Sequence, residues 1–113
     1  MKKFITIHCL FLIIFQFAVP AFAARKASVR FGKELYADPH LAGSTNEKSC
    51  LSCHKADDKK MLKKVRKMSK EEVSQTVNRC IVGALKGKAL DSESEEMRAL
   101  RMYLTFLTND CYE

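Results

Sequence analysis

SCLSCH, residues 49–54, sets Cys50 and Cys53 three positions apart with His54 directly after them. On one helical turn, side chains at i and i+3 share a face. Three chemistries use such a pattern: a zinc site, a redox or structural disulfide, and a covalently tethered haem. Structural zinc wants four ligands in two spaced pairs. The second pair would have to be Cys80 and Cys111, thirty-one residues apart, which is poor spacing for a zinc ribbon. A thioredoxin-like Cys-x-x-Cys follows a strand in an alternating β/α pattern. Here the preceding residues, AGSTNEKS, read as a loop. His54 decides the balance, because C-x-x-C-H is the spacing of a c-type haem attachment. Cys50 and Cys53 would form thioethers with the two vinyl groups, and His54 would offer its imidazole to the iron. A haem-free domain with a Cys50–Cys53 disulfide is the remaining alternative.

The rest of the 113-residue chain bears on that reading. Lys2 and Lys3 precede an apolar run, FITIHCLFLIIFQFAV, which is followed by Pro20 and Ala21-Phe22-Ala23. A charged start, an apolar centre and an A-x-A end form the layout of a secretory signal peptide. As a helix the run reaches only ~24 Å, short of a ~30 Å hydrocarbon core. The expected organisation is a signal peptide at residues 1–23 and one domain at residues 24–113. Cys9 falls inside the apolar run and is given no role. The domain is small for a self-sufficient core, so a buried cofactor would help it fold. Without Lys2 and Lys3 the formal charge falls from +7 to +5, because the leader holds no acids. The expected location is periplasmic or otherwise exported, soluble after cleavage. Export takes the chain away from nucleic acid and permits disulfides.

Hydrophobic periodicity predicts helices throughout and no strand. Phe31, Leu35 and Tyr36 lie on one face of a short helix within residues 28–38, stopped before Pro39. Met61, Val65 and Met68 recur at helical spacing. Ser69 and Glu72 form a capping box that opens a helix with Val73, Val77, Cys80, Ile81 and Ala84 on its apolar face. Residues 85–91, LKGKALD, read as a connection. Ser92 and Glu95 make a second Ser-x-x-Glu, ahead of a stripe of Met97, Leu100, Tyr103, Leu104 and Leu107.

This order, with the attachment motif after the first helix, resembles a class I c-type cytochrome over nearly all of residues 29–107. The resemblance implies a small all-α domain around one covalently bound haem. It also implies a close crossing of the first and last helices, with Gly32 facing Tyr103. In that family the sixth iron ligand is usually a methionine in the connection before the last helix. LKGKALD holds none. Met97 is the nearest later methionine, but it is in phase with the core stripe. The stretches GKELYADPHLAGSTNEKSCLSCH and VNRCIVGALKGKALDSESEEMRALRMYL resemble the His/Cys-ligated haem domain of thiosulfate dehydrogenases and sulfur-oxidation cytochromes. In that group Cys80 matches the cysteine that binds iron opposite the histidine. Two other roles stay open for Cys80: a disulfide with Cys111, or a plain buried residue. His40, in a polar loop, is a weaker alternative ligand.

From Lys55 to Lys70 the chain carries eight basic residues against Asp57 and Asp58. Such a run is either a solvated helix face or a docking patch for an acidic redox partner or anionic lipid. No general base, nucleophile dyad or substrate pocket is legible. The expected activity is one-electron transfer. The alternative is a haem subunit of a sulfur-compound-oxidising enzyme, or a haem sensor, in which Cys80 is a labile ligand.

Overall fold

Most of the α-helices begin where a short polar side chain accepts from a free backbone amide. The computed structural model describes residues 25–110, and among these there are helices and connections but no strand. The all-α fold class is therefore as the periodicity predicts. The leader at residues 1–23, with Cys9, and Cys111 at the other end lie outside the described residues.

Ser28 Oγ accepts from Phe31 N at 3.1 Å and starts α1, Val29–Tyr36. A 3-10 turn at Leu41–Gly43 follows, and then the single turn α2, Cys50–Cys53. Asp58 Oδ1 accepts from Met61 N at 3.0 Å and starts α3, Lys59–Val65. The Ser69/Glu72 capping box opens α4, Lys70–Gly83: Glu72 N donates to Ser69 Oγ, and Ser69 N donates to Glu72 Oε2 at 2.7 Å. Among the described residues the longest helix is α5, Glu95–Asp110.

The start of α5 corrects the sequence reading. Ser94, not Ser92, caps it, accepting from Met97 N at 3.2 Å. Asp91 causes the shift. Its carboxylate accepts from Glu93 N and its carbonyl from Ser94 N, so residues 91–94 form a turn that carries the helix start two residues on. Glu95 then sits in the first helical turn, where Oε2 takes the backbone N–H of Ala27 at 2.5 Å and ties down the chain ahead of α1.

The core is the α5 stripe. Met97, Leu100, Tyr103, Leu104 and Leu107 are all buried. Full burial of side chains of this size stabilises by ~1.5–3 kcal/mol each. The most extensive helix contact is α1 on α5. Gly32 permits it: a Cβ at Gly32 would overlap the Ala99 carbonyl and stand 2.7 Å from Tyr103 Cβ. The Gly32–Tyr103 approach is thus present. One turn on, Tyr36 meets Tyr103 edge to face, ring centroids 5.3 Å apart.

The connection from α4 to α5 is pinned at both ends. Thr45 N donates to Leu85 O, Lys88 N donates to Ala42 O at 2.9 Å, and Asn46 Nδ2 donates to Ala84 O. Asn78 brackets Leu90 with two bonds of 2.8 Å. Among the described residues no helix is long and apolar enough to cross a membrane.

Candidate functional site

The attachment motif forms one tight turn. Ser49 N donates to Ser52 Oγ at 2.9 Å, and His54 N donates to Cys50 O at 2.9 Å. At His54 the backbone turns extended, with φ −123° and ψ 98°. Its carbonyl, released from the helix, accepts the Tyr36 hydroxyl at 2.7 Å. The helix crossing therefore reaches the motif directly: Gly32 lets α5 approach, Tyr103 backs Tyr36, and Tyr36 holds the backbone of His54. Burial pushes the Tyr36 phenol well above its ordinary value, with a smaller effect from nearby Cys50, so it stays a hydrogen-bond donor.

Cys50, Cys53, His54 and Cys80 line a single cleft. Its walls come from α1 (Tyr36), α3 (Met61, Val65), α4 (Thr76, Val77) and α5 (Leu100, Leu104), and Ala84 and Leu85 also line it. All three cysteines are free thiols. Burial, with a smaller contribution from the neighbouring Cys80, pushes the Cys50 thiol up to about 11. The α4 stripe is split in two. Ile81 is fully buried in the core, whereas Val77 and Cys80 are half-buried on the cleft side.

Met97 is fully buried and does not line the cleft, so it is a core residue. Met61 does line it. Among the described residues, Met61 and Cys80 are the sulfur donors at the cleft besides the two motif cysteines. His40 is exposed and lies away from it.

The His54 ring has an unusual setting. Nδ1 is buried and makes no hydrogen bond. Its nearest anionic atom is Asp58 Oδ2, at 3.7 Å, beyond hydrogen-bond range. The Asp58 carboxyl is held below its ordinary value, chiefly by the Met61 amide and then by His54. Neither Asp58 nor the Tyr36 bond was singled out by the sequence pattern. The i, i+4 spacing of His54 and Asp58 was the available signal for the first.

These residues suit a haem better than a bare metal ion. Among the described residues no three His, Cys, Asp or Glu side chains converge to hold a metal. Zinc held by protein alone needs three or four ligands, whereas haem iron takes only its axial ligands from protein. The His54 imidazole, two thiols on one turn and apolar walls, all on one cleft, are compatible with the second requirement. The cleft holds about 110 Å³, smaller than the ~300–1,000 Å³ usual for organic ligands.

Every basic side chain from Lys55 to Lys70 is exposed. Lys70 pairs with Glu93 at 3.1 Å. Eight bases against Asp57 and Asp58 leave the field of the run positive. No family model, curated protein or solved structure matches the chain.

Proposed function

We propose that this chain is an exported c-type cytochrome that carries one electron on a single haem attached at Cys50 and Cys53. The observation that carries the reading is the convergence of Cys50, Cys53, His54 and Cys80 on one apolar cleft. The haem would supply a one-electron iron couple. Cys50 and Cys53 would hold it covalently and His54 would bind the iron through Nε2, while Tyr36 fixes the His54 backbone. Cys80 is the proposed sixth ligand, a donor that favours the oxidised iron and lowers its potential. Val65, Val77, Leu100 and Leu104 exclude water. The exposed run from Lys55 to Lys70 steers an acidic redox partner, with a rate that falls as salt rises; anionic lipid is the other surface it suits. Residues 1–23 act as the export signal and residues 24–113 as the haem domain.

Spectroelectrochemical titration of the full chain, expressed with haem-attachment machinery, tests the function. A reversible one-electron wave is expected. A chain that takes up no haem, or a haem that cannot be cycled, contradicts it.

A second reading draws on the position of Cys80 at a half-buried cleft wall: a haem subunit of a sulfur-oxidising enzyme or a sensor, with Cys80 leaving the iron. Carbon monoxide separates the two. Ready binding by the reduced protein supports the second reading, and refusal supports the carrier.

A further inference from the structure

The buried nitrogen of His54 and the carboxylate beside it belong to one arrangement. Asp58 is fixed by its own helix. Oδ1 takes the Met61 amide, which leaves Oδ2 turned toward His54. Oδ2 stands 3.7 Å from Nδ1, about 0.7 Å beyond a normal N–H···O separation. Nδ1 has no other partner and is closed off from water. A buried imidazole N–H left unpaired is costly, and a small rotation of the ring removes that cost by meeting Oδ2. Once Nε2 is committed to a metal, the ring proton must sit on Nδ1, which faces this carboxylate.

We infer that Asp58 is a positioning residue that accepts a hydrogen bond from the Nδ1–H of His54 and sets the donor strength of the imidazole toward iron. The inference rests on the haem reading above. An anionic acceptor gives the ring more negative character than a neutral carbonyl would, which strengthens its bond to oxidised iron and lowers the reduction potential. Because Asp58 also caps α3, the helix that walls the cleft and the electronic setting of the iron share one side chain. Asn and Ser cap helices about as well as Asp. Either one therefore removes the charge while keeping α3.

The test uses the full chain, expressed with haem-attachment machinery, as wild type, Asp58→Asn and Asp58→Ser. Haem content comes from intact mass, helix content from circular dichroism, and potential from spectroelectrochemical titration. Both variants are expected to retain haem and helix and to shift the redox equilibrium about tenfold toward the reduced state, ~59 mV for one electron. The Nδ1 proton resonance of His54 is expected to move and to exchange faster in both. Haem-loaded variants with unchanged potential and proton resonance overturn the role of Asp58 and leave the haem reading standing. A wild-type chain without haem overturns both.

Discussion

Replacing Gly32 with alanine perturbs the contact on which the whole arrangement depends. Two opposing effects set the outcome. Alanine is the better helix former by ~0.8–1.0 kcal/mol. Its Cβ, however, would overlap the Ala99 carbonyl and lie 2.7 Å from Tyr103 Cβ. The Ala99 obstacle is backbone and cannot rotate away, so α1 must lift off α5. Forcing one carbon into a packed site costs ~1–3 kcal/mol and more where backbone must move. Taking ~3 kcal/mol for the clash and subtracting the helix gain leaves a loss of ~2 kcal/mol, or a Tm lowered by ~8–16 °C for a domain of this size. Gly83 is the control. It ends α4, and a Cβ there would meet nothing within 4 Å. Gly83→Ala should be neutral or stabilising by up to ~1 kcal/mol. Urea and thermal unfolding followed by circular dichroism measures both variants against the parent. A Gly32→Ala chain as stable as the parent would refute the packing argument, whatever Gly83→Ala does.

Tyr36→Phe should lower stability by ~1 kcal/mol, since the His54 carbonyl loses its donor, and unfolding with a Tm unchanged within error would contradict that role. In the chain made without haem, alkylation at pH 8 should label exposed Cys53 well before Cys50, with Cys50 reactivity rising as pH climbs toward about 11. The same raised value has a sign for stability. The folded chain keeps the Cys50 proton between the ordinary value of 9.0 and about 11, while the unfolded chain releases it. Stability present below pH 9 is therefore lost as pH rises through that window, and a haem thioether at Cys50 abolishes this contribution. Near-infrared magnetic circular dichroism of the oxidised haem protein should show a thiolate ligand that disappears in Cys80→Ala; a thioether signal would instead point to methionine, with Met61 the one that lines the cleft.

The helical stripe of α5 was legible because its apolar residues keep one period over three turns, and all five expected positions are buried. The α4 capping box was legible for the same kind of local reason, since Ser69 and Glu72 need only each other's backbone. The start of α5 was not, because the Asp91 turn competes with Ser92 for the helix entry. Leu41 is buried within a stretch that reads as polar loop; it is reached only through the 3-10 turn and the packing of the α4–α5 connection onto it. Ser74 is a buried polar residue on α4, satisfied by Lys70 O and by Arg101 from α5. Such a long-range pairing leaves no periodic trace. At the site, the spacing of Cys50, Cys53 and His54 was explicit, and Cys80 was suggested by resemblance. The cleft shared by Met61 and Cys80, and the approach of Asp58 to Nδ1, depend on how α3 folds back after the motif.

The intact mass of the full chain, denatured after expression with haem-attachment machinery, tests the central claim most directly. The account predicts one haem that survives denaturation and is lost as a covalent adduct when Cys50 and Cys53 are both replaced by alanine. A chain at its bare polypeptide mass, or a haem that washes away on unfolding, would contradict it.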